Sequence, residues 1–109
     1  MNADLNNISG KIIGAAYKVS NTLGAGFLEK VYENALVHQL KKSGMKIEQQ
    51  KSIKVYYDNV VVGDYFADII AEEAVIVELK AAIRIEEIHL AQVLNYLKAT
   101  RLKLGLILN

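Results

Sequence analysis

The stretch VIVELKA (residues 75–81) decides the fold. Strand side chains repeat every second residue, so Val75, Val77 and Leu79 line one face and Ile76, Glu78 and Lys80 the other. Both faces begin apolar, which predicts a strand buried on two sides, yet one face ends on an acid and a base. Buried charge is costly unless it is paired or holds a metal. Glu78 and Lys80 are therefore a structural ion pair or part of a site.

Upstream, VVVGDYFADIIA (residues 60–71) reads as a second strand and EEA (residues 72–74) as the loop between the two. If Ala71 pairs with Val75, antiparallel register sets Asp68 opposite Glu78, within roughly 5 Å between Cβ atoms. Asp68 shares its face with Phe66 and Ile70, another acid in apolar company. Two carboxylates so placed repel and raise each other's pKa unless a cation intervenes. Lys80 offers one charge against two. SIKVYY (residues 52–57) supplies a third strand, joined to the second by Asp58-Asn59, a pair suited to a hairpin turn.

Helices flank this meander. Ile8, Ile12, Ala16, Val19 and Leu23 recur at helical spacing, predicting a helix over residues 8–23 capped by Asn7 or Ser9 and ended by LGAG (residues 23–26). A second helix spans residues 27–43 and closes at Gly44. Leu28, Val31, Tyr32, Ala35, Leu36 and Leu40 form its apolar arc, and Glu29 falls inside the border of that arc, between Leu36 and Leu40. RIEEIHLAQVLNYLKAT (residues 84–100) is a third helix, apolar almost all round, which implies burial on two sides. Its one polar stripe is His89, Gln92 and Tyr96. LKLGLIL (residues 102–108) reads as a buried strand. The order is helix, helix, three strands, helix, strand, with no repeat, linker or low-complexity segment, in a single domain over residues 1–109.

Composition narrows the chemistry. With 52% hydrophobic and 23% charged residues the chain has the balance of a folded domain rather than a disordered one. The absence of cysteine excludes disulfides, thiolate metal sites and cysteine nucleophiles, and two histidines, His38 and His89, are too few for an all-histidine zinc site. A metal would be held by oxygen, which favours magnesium, manganese or calcium. The N-terminal MNADLNNISGK lacks the basic and apolar regions of a signal peptide, and no window reaches the about 18 apolar residues of a bilayer span. The expectation is a cytoplasmic protein without membrane contact. A net charge of +1 gives no general pull on nucleic acid. Lysines gather locally at 41, 42, 46, 51 and 54, and basic residues again at Lys98, Arg101 and Lys103, though such runs usually coat a solvated face.

Taken singly, each feature has a structural explanation: a glutamate that snorkels to water, a core ion pair, a hydrogen-bonded helix contact. Together in one domain, they point to a site. Asp68, Glu78 and Lys80 resemble the D…(E)xK signature of the PD-(D/E)XK nuclease superfamily, and Gln92 with Tyr96 resembles its QxxxY helix motif. GFLEKVY (residues 26–32) is similar to the GxxExxY signature that names a family assigned to that superfamily. The resemblance runs from residue 8 to 108. There are two departures: Gly24-Ala25-Gly26 stands where members often carry Gly-Pro-Gly, and Tyr65-Phe66-Ala67-Asp68 lacks the proline or arginine common near the aspartate.

The resemblance implies a restriction-endonuclease-like αβββαβ core, a mixed four-stranded sheet flanked by helices, with an additional N-terminal helix and the last strand parallel to residues 75–81. It implies Mg²⁺ or Mn²⁺ held by Asp68 and Glu78, with the Leu79 carbonyl and Glu29 as further ligands. The catalytic set is Glu29, Asp68, Glu78, Lys80, Gln92 and Tyr96, with His89 a weaker member. The implied reaction is phosphodiester hydrolysis of nucleic acid, DNA ahead of RNA. A homodimer follows from size, since two active sites let a small subunit grip a duplex. The rival is a catalytically silent interaction module within a larger complex. Loss of the lysine or of either strand acid would favour it, and all three are present.

Overall fold

The computed structural model describes residues 4–81 and 84–109, so the first three residues of the N-terminal stretch lie outside it. Its elements are α1 (Leu5–Leu23), α2 (Glu29–Lys42), β1 (Ile47–Tyr57), β2 (Val60–Ala71), β3 (Val75–Leu79), α3 (Glu87–Thr100) and β4 (Leu104–Leu108). The four strands form one sheet in the order β1-β2-β3-β4. The first three pair antiparallel and β4 runs parallel to β3 after the α3 crossover, so the sheet is mixed. With α1 in front, this is the expected αβββαβ core.

Turn chemistry sets the meander. Asp58 and Asn59 have φ of 50° and 64°, the left-handed pair that matches a hairpin's twist. Glu72 and Glu73, at 54° and 53°, turn the chain again before β3. Ala71 pairs with Val75, Ile70 with Ile76 and Ile69 with Val77, the anticipated register. β3 is buried throughout. Val75, Val77 and Leu79 pack with Ile8 and Ile12 of α1 and Leu36, Val37 and Leu40 of α2, while Ile76 packs with Ile53, Ala67, Ile70 and Tyr96. The helices thus divide between the two faces, α1 and α2 on one and α3 on the other.

Several expectations need correction. α1 begins earlier than expected, capped by Asp4, whose carboxylate accepts the Asn7 N–H, and not by Asn7 or Ser9. β1 begins at Ile47, ahead of residue 52, because Glu48, Gln49 and Lys51 pair with β2 despite lacking any apolar alternation. The buried face of α2 is Glu33, Leu36, Val37 and Leu40, and Leu28 and Val31 are exposed, so the helix is rotated from the arc predicted by apolar counting. α3 buries only Val93 and Tyr96 and leaves Ile88, Leu90 and Leu94 exposed, which overturns two-sided burial. The reason is architectural: among the described residues α3 is the only helix on its face, and it packs there on the sheet. β4 is half-buried because it is an edge strand. At Gly105 an added Cβ would lie 2.5 Å from Val93 Cγ1, so α3 rests on bare β4 backbone. Among the described residues no helix is long and apolar enough to cross a membrane.

Candidate acid site

The site forms where the β2–β3 ladder stops. Its last paired residues are Ile69 and Val77. One step further, side chains take over from the backbone. The Asp68 N–H donates to Glu78 Oε2 at 2.8 Å, and the Leu79 N–H donates to Asp68 Oδ2 at 2.9 Å. Each acid therefore satisfies an amide of the opposite strand that sheet pairing would otherwise have used, and the two carboxylates are held together by the reciprocal exchange.

Burial makes that proximity expensive. Glu78 is 3% exposed. Desolvation pushes its pKa up from 4.5 to about 7, opposed by the Asp68 N–H and the Lys80 ammonium and reinforced by the charges of Asp68 and Glu33. Asp68, half-buried, is also raised, first by desolvation, with Glu33 and Glu29 adding repulsion and the Leu79 N–H and Gln50 working the other way. The repulsion expected across the strands is present, but burial is the larger cause.

Glu33 is the residue that sequence reasoning missed. It is 4% exposed, in the centre of the buried face of α2. Burial alone would raise its pKa, but hydrogen bonds from Gln49, Gln50 and Lys30 bring it below the ordinary value. Gln49 Nε2 lies 2.6 Å from Glu33 Oε2 and Lys30 Nζ lies 3.1 Å from the same atom. Gln50 Nε2 stands 3.1 Å from both Glu33 oxygens and 3.2 Å from Asp68 Oδ1, so one amide bridges the α2 acid to the β2 acid. Neighbouring strand residues normally point to opposite faces, yet Gln49 and Gln50 both reach Glu33. Gln50 achieves this with a φ of 52°, a left-handed conformation that is costly for a residue with a side chain. The signal available in the sequence was the spacing of Glu33 to Leu36, Val37 and Leu40, three, four and seven residues on.

The other expected residues divide. Tyr96 is buried beside the acids, whose charges help burial raise its pKa, and its Oη accepts from Gln92 Nε2 at 2.8 Å. Its ring also meets Tyr65, with centroids 5.9 Å apart. Glu29 is not brought onto Asp68. Its Oε2 accepts the Ala81 N–H at 2.8 Å, just past β3, and only its charge reaches Asp68. Leu79 contributes its amide, as above. The Lys80 backbone N–H donates to the Leu108 carbonyl, and among the described residues its ammonium makes no hydrogen bond or ion pair. His89 is occupied elsewhere: Nδ1 accepts the Glu86 N–H at 3.0 Å in a capping box that starts α3.

Beside Glu29 and Lys80 opens a cleft of about 500 Å³, walled by α1, by Gly24, Ala25 and Gly26, and by the ends of β3 and β4. Among the described residues no three carboxylates or imidazoles converge into a ready-made metal cage. What does converge is a set of hard oxygen donors, Asp68 and Glu78, with Glu33 linked to them through Gln50.

Comparison with protein families matches residues 6–109 to the PD-(D/E)XK nuclease superfamily. Neither the curated proteins nor the solved structures yield a significant match.

Proposed function

The chain belongs to the PD-(D/E)XK nuclease superfamily, and on that premise we propose that it is a nuclease that hydrolyses phosphodiester bonds of DNA, ahead of RNA, using Mg²⁺ or Mn²⁺. Enzymes of this superfamily generally use divalent metals. The proposal includes membership of the GxxExxY family, carried by Gly26, Glu29 and Tyr32, and a single cytoplasmic domain over residues 1–109 acting as a homodimer.

The single observation that carries the reading is the state of Glu78. It is 3% exposed, accepts one amide, and faces a second carboxylate, with its pKa pushed up to about 7. A bound divalent cation would relieve that arrangement, and two hard carboxylates are what Mg²⁺ or Mn²⁺ takes. Asp68 and Glu78 would hold the ion, with the Leu79 carbonyl and Glu29 completing its surroundings. When bound, the metal supplies an activated water and neutralises charge on the phosphoryl oxygens.

The chain's own residues do the rest. The Lys80 ammonium, which makes no hydrogen bond or ion pair among the described residues, binds the scissile phosphate and orients the attacking water or takes its proton. Tyr96 keeps its phenolic proton, since burial raises its pKa, and with its oxygen accepting from Gln92 its O–H serves as a neutral donor. Glu33 and Gln50 position Asp68 through the shared amide.

A second reading has its own observation. The Glu33–Gln49–Gln50–Asp68 network closes without a cation, as a silent interaction module would require. Incubating the protein with labelled DNA and RNA, single- and double-stranded, with Mn²⁺ or EDTA separates the two. Cleavage with Mn²⁺ and none in EDTA is expected. No cleavage of any substrate, together with no effect of Mn²⁺ on the melting temperature, supports the silent module.

A further inference from the structure

Beyond Asp68 the β1–β2 hairpin continues without β3. Residues 52–57 and 60–67 form a two-stranded arm that leaves the sheet at the acid site. At ~3.3 Å per residue it reaches about 30 Å past Asp68 to its tip at Asp58-Asn59. A lone two-stranded ribbon is marginal in water, and this one has both edges unpaired among the described residues.

Both faces of the arm carry exposed apolar side chains, the one away from α3 around a Ser52–Asp64–Lys54 group. Tyr56 and Tyr57 are 61% and 70% exposed, Tyr65 and Phe66 about half, and Val60, Val61 and Val62 are exposed as well. On the side facing α3, Ile53, Val55, Tyr57, Val60 and Tyr65 follow one another with no charge among them. Gly63 adds to this: a Cβ there would stand 3.2 Å from the Tyr65 ring.

At roughly 200 Å² per aromatic side chain, the four rings alone leave on the order of 450 Å² in water. Summed over its two faces, the valines bring the arm's total toward the ~800 Å² that each partner contributes to a standard interface. The arm's charge argues against a phosphate backbone as the occupant. Its one lysine, Lys54, is neutralised by Asp64 at 3.4 Å, Lys51 at its base is paired with Glu48 at 2.9 Å, and Asp58 stands at the tip.

We propose that the arm is the homodimer interface, in which the arms of two copies clasp each other and cover the rings and valines on both faces. This rests on the homodimer part of the function proposed above and not on its chemistry. Each arm starts at its own Asp68, so the clasp links the two acid sites through a pair of strands.

Sedimentation equilibrium of the full chain at micromolar concentration tests it, alongside Tyr56→Glu/Tyr57→Glu, which places one charge on each face of the arm. The wild type should sediment at twice its 12.1 kDa and the variant at 12.1 kDa with an unchanged far-ultraviolet spectrum. In the wild-type dimer, hydrogen exchange should protect amides 52–67, a readout that stands if the variant fails to fold. A wild type at 12.1 kDa overturns both the clasp and the homodimer. A folded variant that remains dimeric, or arm amides that exchange freely in the dimer, overturns the clasp alone. Protection of the arm that appears only on adding a single-stranded oligonucleotide makes it a base-stacking platform and overturns it too. Cleavage, measured separately, bears on the chemistry and on neither arm outcome.

Discussion

Glu78 makes the metal-free protein sensitive to pH in an unusual direction. Its pKa is raised in the folded state, so the fold binds its proton more tightly than the unfolded chain does. The resulting stability is present in full below pH 4.5 and is lost as pH rises toward 7. The gap between 4.5 and about 7, at 1.36 kcal/mol per pH unit, amounts to about 3 kcal/mol. In a domain of this size that is a fall in Tm on the order of 10 °C. Asp68 is raised too and adds to the fall. Glu33 is lowered and contributes with the opposite sign, at and below its ordinary 4.5, so a scan begun above pH 5 avoids it. Thermal melts in EDTA from pH 5 to 8 should show Tm falling steadily, Glu78→Gln should flatten the curve, and Mn²⁺ should restore the wild type at pH 8. A Tm in EDTA that stays level or climbs between pH 5 and 7 would refute the reasoning, because Glu78 would then be ionised at no cost.

Other consequences are separately measurable. Asp68→Asn removes one of two facing charges, so in EDTA it should melt higher than wild type at pH 8. Mn²⁺ at a hundredfold excess over Kd should stabilise the wild type by about 2.7 kcal/mol and this variant hardly at all. Glu33→Ala removes the acceptor shared by Gln49, Gln50 and Lys30 and leaves a cavity in the buried face of α2, and should cost ~2–3 kcal/mol in urea unfolding, more than Glu29→Gln at the half-exposed start of α2. Gly105→Ala pushes a methyl against Val93 and should destabilise by about 1–3 kcal/mol, with Val93→Ala in the same chain recovering part of the loss.

The meander was legible because its determinants are local. Asp58-Asn59 and Glu72-Glu73 are short polar pairs that adopt positive φ, and between them the chain has one register that buries both faces of β3. The pairing of Asp68 with Glu78 followed from that register alone. Glu33 was not legible in the same way. Apolar counting places a glutamate on the wet side of a helix, and only the amides of Gln49 and Gln50, sixteen and seventeen residues downstream, make its burial tolerable. The start of β1 was hidden for a related reason: Glu48, Gln49, Gln50 and Lys51 carry no strand signature, and the strand there comes from pairing of Glu48, Gln49 and Lys51 with Ile70, Ile69 and Ala67 of β2. His89 shows the converse. Its place on the helix stripe was correct, but its hydrogen bond to the Glu86 amide belongs to the cap, which spacing to Gln92 could not reveal.

Lys80 gives the most direct test of the central claim that these acids form a metal-dependent phosphodiester-cleaving centre. Its ammonium makes no hydrogen bond or ion pair among the described residues, so Lys80→Ala should leave the fold and Mn²⁺ binding intact. Cleavage of labelled nucleic acid should be measured for wild type and Lys80→Ala, each with Mn²⁺ and with EDTA. The account predicts products only from wild type with Mn²⁺, with the variant still showing the Mn²⁺-induced rise in Tm. Cleavage that persists in EDTA, or that survives in Lys80→Ala, would contradict it.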